Sequence, residues 1–148
     1  MTHDLRELIQ EVLEQGYLMS LATADSSGVW VSDVIYVHDD DLNIYWMSDP
    51  EVRHSQAVDQ NNKAAGTITV SGIGEDNLGI QFEGEIERID GPRYDLAVKH
   101  FAKRNKPEPE EDEDVLQGDS WYMLRPKKIQ LTHERLFGFD KQTHEENL

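Results

Sequence analysis

"YWMSDPEVRHSQAVDQNNKAAGTI", residues 45–68, decides how this chain is read. It opens on the end of an aromatic, strand-like run and closes on the start of another. Between them Pro50 suits a first helical turn, and Ser48 or Asp49 can cap that turn. The spacing predicts strand, short helix, strand. Arg53 and His54 fall side by side in the first turn of that helix, in a strongly acidic chain. A cation at a helix start opposes the helix dipole. It makes sense beside an anion, because the free N–H groups attract negative charge and Arg grips phosphate with two prongs. A purely structural account uses the same residues. Ser48 and Glu51 stand at capping-box spacing, and Arg53 then pairs with Asp49 or Glu51.

The flanking sequence supplies the rest of the fold. Leu5, Leu8, Ile9, Val12 and Leu13 form one apolar helical stripe. Asp4 and Glu7 form its capping pattern, and Gly16 is expected to end it in a left-handed conformation. "YLMSLATA", "VWVSDVIYVH" and "LNIYWMS" are strands joined by the turns "DSSG" and "DDD", an antiparallel meander. "AAGTITVS" is a fourth strand. "IQFEGEIERI" is a fifth, with Gly84 breaking its alternation as at a bulge. Tyr94, Ala97, Val98, Phe101 and Ala102 mark another amphipathic helix. The acidic stretch at about 106–119 reads as a mobile surface loop. "SWYMLRPKKIQLTH" is a last strand or two, bent or broken at Pro126, and a flexible tail follows from about 140 to 148. Six or seven hairpin-linked strands with three helices give a mainly β (α+β) domain over residues 1–148. It is expected as an antiparallel barrel with peripheral helices, an open α+β sheet being the alternative.

Composition narrows the function. Acids outnumber bases 30 to 14, for a net charge of -16, which disfavours nucleic acid and anionic membrane surfaces as partners. There is no cysteine, hence no disulfide, thiolate nucleophile or cysteine zinc site. No signal-peptide core and no long apolar run occurs, so a cytoplasmic protein is expected. Hydrophobic content of 37% makes the core economical, and a second subunit would relieve that shortage. The six histidines show no metal-ligand spacing, so no metal site is expected. Dinucleotide, P-loop and nucleophile-elbow motifs are absent, and no catalytic residue is identified. Most strand aromatics are core; Trp121, opening the last strand, is the best candidate for the wall of a flat ligand's pocket.

In order and spacing, "RH" (Arg53-His54), "AGT" (Ala65 to Thr67), "GIQF-GEI" (Gly79 to Ile86) and "LFGF" (Leu136 to Phe139) resemble the pyridoxamine 5'-phosphate oxidase-like family, the FMN-binding split barrels, over roughly residues 5 to 140. They look closest to a small, poorly characterised branch of it. The resemblance implies a homodimer with two FMN sites across the subunit seam and a flavin-dependent oxidoreductase activity of unknown substrate. It places the flavin ring along Val31, Ser32, Asp33 and Val34, and the ribityl chain and phosphate near Met47 and Ser48. Arg53 and His54 would grip the phosphate, Gln81 would reach the flavin of the partner chain, and Trp121 would wall the site. The second strand offers no cation, and His54 stands where a lysine is more usual. The alternative is therefore a non-catalytic barrel dimer that takes haem or a deazaflavin, or that has lost its cofactor.

Overall fold

The computed structural model describes residues 3–146. Its elements are α1 (Leu5–Gln15), β1 (Leu18–Asp25), β2 (Gly28–Ile35), β3 (Val37–His38), β4 (Ile44–Ser48), α2 (Arg53–Gln60), β5 (Lys63–Thr69), β6 (Leu78–Ile89), α3 (Tyr94–Lys103), β7 (Ser120–His133), α4 (Glu134–Phe137) and β8 (Gln142–Glu145). All pairings are antiparallel.

The frame is the β6–β7 pair, in register from Leu78↔His133 to Ile89↔Trp121. The register slips between Glu83 and Gly84, leaving Lys127 over on β7. Gly84 lies against the partner backbone there: a β-carbon on it would stand 2.1 Å from the Arg125 carbonyl oxygen. The glycine break and the proline bend expected from sequence are thus one feature, since Gly84 and Pro126 are register partners.

The sheet runs β2-β1-β5-β6-β7-β4-β3. Its two ends are consecutive pieces of one extended segment, interrupted only at Tyr36. "VWVSDVIYVH" therefore pairs with β1 through its first part and with β4 through its second, which curls the sheet into a barrel and removes the open-sheet alternative. At the interruption the Tyr36 hydroxyl donates to the Leu13 carbonyl of α1 at 2.7 Å. From α3, Lys103 donates to the Tyr36 carbonyl at 2.6 Å, and Lys99 to the His38 carbonyl at 3.0 Å.

Two cores result. Ile9, Val12 and Leu13 of α1 close over Met19, Leu21, Ile44, Trp46, Ile68, Phe82, Tyr122 and Leu124 inside the barrel. Outside it, α3 covers Val37, Tyr45, Trp121 and Met123 with Leu96 and Ala97. Burying a side chain such as Leu124 contributes roughly 1.5–3 kcal/mol.

Several expectations need correction. Among the described residues seven strands form the curled sheet, as expected, β8 is added at its edge, and there are four helices where three were expected. Asp4 does cap α1, accepting from Arg6 N at 3.0 Å. Gly16 is extended, not left-handed. It is needed for space, since a β-carbon would meet the Tyr36 hydroxyl at 2.3 Å. Residues 142–145, expected in a flexible tail, form β8. The reason is an open edge: β4 covers β7 only from Ser120 to Leu124, and β8 pairs the bare stretch from Lys128 to Leu131. The acidic loop, expected to be mobile, is pinned by Val115 and Leu116 packing on the outer core and by the Tyr94 hydroxyl donating to the Pro109 carbonyl at 3.1 Å.

Gly84→Val is expected to destabilise the protein by more than about 2 kcal/mol, because the strands cannot approach past a side chain. Urea unfolding checks this; an unchanged midpoint would contradict the bend. His100 gives a second expectation. It is buried under α3 with its Nδ1 unpartnered, and burial pushes its pKa down to about 4. The unfolded chain therefore binds this proton near pH 6.5 and the folded chain only near 4, so the stability present above pH 6.5 is lost on acidification through that window. Between pH 7 and 5 the wild type should lose about 2 kcal/mol more than His100→Phe. Equal losses in paired urea titrations would contradict it.

Candidate functional site

The sequence-predicted residues fall into two surface clusters and the core. The first cluster is the junction of β4 and α2. The helix begins at Arg53, with Val52 as N-cap and no side-chain cap. The expected capping box does not form. Ser48 Oγ is 2.9 Å from His54 Nε2 instead, and Asp49 Oδ1 accepts from Glu51 N. Pro50 lies in the turn ahead of the helix. No side chain caps the first turn; Ser55 N and Gln56 N donate to the Val52 carbonyl, which leaves the N–H groups of Arg53 and His54 for another acceptor. His54 is half-buried, and burial lowers its pKa, so it is neutral at pH 7. Ser55, the next residue, is buried with an unpartnered hydroxyl.

Arg53 is exposed and pairs with neither Asp49 nor Glu51. Its guanidinium stacks on Trp30, 4.3 Å from the ring centroid, and reaches the Ser27 carbonyl at 3.5 Å. A cation resting on an exposed aromatic face keeps its donors available.

Arg88 went unnoticed in the sequence. Its Nε and Nη2 donate to Ser120 Oγ at 3.1 and 2.7 Å. Ser120 is the register partner of Ser48, so His54, Ser48, Ser120 and Arg88 follow one another across β4, β7 and β6. The signal was present: Arg88 has the parity of Ile86, whose side chain faces the barrel core. Negative charge lies on the same side. Asp119 is pushed above its ordinary pKa by burial and then by Asp49. Asp49 and Asp119 thus set negative charge close to the serines, which works against an anion there.

The second cluster is the outward sheet face. Register places Val31, Ala22, Ala65, Glu83 and Lys128 in one cross-strand row, and Asp33, Ser20, Thr67, Gln81 and Gln130 in the next. Small side chains at Ser20, Ala22, Ala65 and Gly66 leave a shallow groove of about 540 Å³ there. Asp33 accepts from the Ser20 hydroxyl at 2.6 Å. Gln81 donates to Gln130 at 2.9 Å and accepts from Lys141 at 3.0 Å. Ser32 is half-buried on the opposite side of β2. Val29 and Val31 are 73% and 59% exposed, unusual for valines in a sheet.

The remaining residues do not join either cluster. Val34 is in the barrel core, and Met47 packs against the outer core. Trp121 is fully buried, with its indole N–H donated to the Pro92 carbonyl at 2.8 Å and its ring edge-on to His100. It presents no wall to a ligand: β7 enters under α3, which the strand pattern alone did not reveal. Among the described residues no group of three or more histidines and carboxylates is placed to hold a metal ion, and no helix is long and apolar enough to cross a membrane.

The pyridoxamine 5'-phosphate oxidase family model matches residues 5–133. A UPF0306 protein of Photorhabdus laumondii is 30% identical over 101 residues, covering 66% of this chain and 70% of that protein. A conserved hypothetical protein of Mycobacterium tuberculosis has the same fold, with a TM-score of 0.79 at 13% identity over 95% of this chain and 91% of that one. A haem binding protein of Mycobacterium smegmatis gives 0.72 at 14% identity, covering 98% of this chain and 59% of that one.

Proposed function

The chain belongs to the pyridoxamine 5'-phosphate oxidase family, and from that premise we propose that it binds FMN and acts as a flavin-dependent oxidoreductase. The observation that carries this reading is the start of α2. A helix without a side-chain cap, a serine–histidine pair, an unpartnered buried hydroxyl and a stacked guanidinium all sit within Ser48 to Ser55. Each suits a phosphate.

In this assignment Arg53 supplies the principal charge and Arg88 a second cation, which the second strand does not offer. Ser48 and Ser55 supply hydroxyls, and His54 holds Ser48 in position. Val31, Ser32, Asp33 and Val34 provide the extended backbone along the ring, and Met47 supports the turn through its packing. Gln81 reaches across from a second copy of the chain. The exposed Val29 and Val31 give that copy an apolar face to cover. When bound, FMN supplies electron and hydride transfer, and the protein supplies orientation and electrostatics. That division agrees with finding no protein acid–base pair at these residues. A cytoplasmic location and a single domain over 1–148 belong to the same proposal.

The second reading is a haem-handling barrel, favoured by the Mycobacterium smegmatis neighbour. The two separate in one experiment. FMN titrated into the purified protein should quench its flavin fluorescence, and Arg53→Ala should weaken that binding more than tenfold. An unchanged dissociation constant would place the phosphate elsewhere. A haem titration giving a Soret shift where FMN gives no response would favour the second reading.

A further inference from the structure

A second groove, of about 480 Å³, lies between α1, β3 and α3 and shares no lining residue with the groove on the outer sheet face. Leu13 and Glu14 line it from α1, Val37 and His38 from β3, Lys99 and Lys103 from α3. A cleft of this size holds a small molecule, and its apolar and charged groups are interleaved.

Its centre is the Lys103 amine. Nζ stands 3.4 Å from the centroid of the Tyr36 ring and donates to the Tyr36 carbonyl at 2.6 Å. Among the described residues no carboxylate lies within ion-pairing distance of it. Burial pushes its pKa down to about 8, with Glu14 opposing. The Tyr36 ring face also favours the ammonium. Burial therefore makes this amine easier to deprotonate than an ordinary lysine, which is wholly charged at pH 8.

The groups facing this amine can move protons. Glu14 Oε2 lies 3.6 Å from His38 Nε2. Burial lowers the His38 pKa, Glu14 works against that, and Lys103 and Lys99 add to it, so the imidazole is neutral at pH 7 and able to accept a proton. Asp40 lines the groove from the turn after β3, and Lys99 is held on the His38 carbonyl. His100 is buried beneath α3, and the Arg104 guanidinium stacks on Phe101.

We propose that this groove is a carbonyl-capture site, in which Lys103 Nζ forms an imine with a small aldehyde bearing an apolar or aromatic body. The amine lone pair attacks the carbonyl carbon, and the C=O π electrons move to oxygen, which takes up the first of the two amine protons through solvent. Nitrogen releases its second proton to His38, which passes it to the departing hydroxyl. Water leaves with the carbonyl oxygen as the C=N bond forms, so amine and aldehyde give imine and water with no change in oxidation state. The site is independent of the flavin reading and uses none of its residues.

The test treats the full-length protein with 4-carboxybenzaldehyde and cyanoborohydride between pH 6.5 and 9.5, and maps the modified lysines by peptide mass spectrometry. The expected result is modification of Lys103 at least tenfold faster than any of the other six lysines, with a midpoint near pH 8. His38→Gln should slow labelling at Lys103 several-fold and leave the other lysines unchanged. Lys103→Arg, which keeps a cation on Tyr36, should remove one modification while the melting temperature holds. Labelling spread evenly over the lysines, or a Lys103 slower than the exposed ones, would overturn the proposal and leave this amine as a strut for the Tyr36 carbonyl. Rates at Lys103 unmoved by His38→Gln would remove the proton-transfer role and with it the proposed step.

Discussion

Everything in this molecule depends on the bent pairing of β6 with β7. That pair spans the whole barrel and gives its edges to β5, β4 and β8. Backbone groups inside a folded protein must find partners. A straight ladder of this length would leave the sheet too flat to close. The slip at Gly84, with Lys127 left over and Pro126 opposite, bends both strands at once. Closure then falls to the segment 28–38, which serves both free ends of the sheet and is anchored at Tyr36 by α1 and α3.

The fold leaves chemistry at the places where its regular pairing stops. The β4–α2 junction collects serines, a neutral imidazole and two guanidiniums at the edge of an acidic surface. The Tyr36 interruption collects two lysines and a histidine–glutamate pair. Both are positions where backbone carbonyls or N–H groups lack strand partners, so polar side chains gather to satisfy them. Four of the 14 basic residues of this acidic chain, Arg53, Arg88, Lys99 and Lys103, stand at these two breaks.

The fold was legible because its signals are local. Alternation in "YLMSLATA", the aromatic run before Ser48, the α1 stripe and the break at Gly84 each report one element or one bend. What stayed hidden depended on three dimensions. Trp121 looked like an open strand start but lies beneath α3, whose packing face no strand pattern encodes. The capping box failed because Ser48 turned to His54, a choice made by tertiary position. β8 formed because β4 is short, a fact about a distant strand. In the candidate site, Arg53 and His54 were legible from their position in the helix. Arg88 needed the register of β6 against β7 to bring it to Ser120, the partner of Ser48.

The proposed function requires two copies of this barrel to hold a phosphate-bearing flavin through the start of α2. Native mass spectrometry of the protein as purified from cells reads both the number of chains and the bound molecule. An assembly of two chains carrying FMN, released when the complex is unfolded, is the expected result. A solitary chain with no bound small molecule, even after incubation with excess FMN, would contradict it.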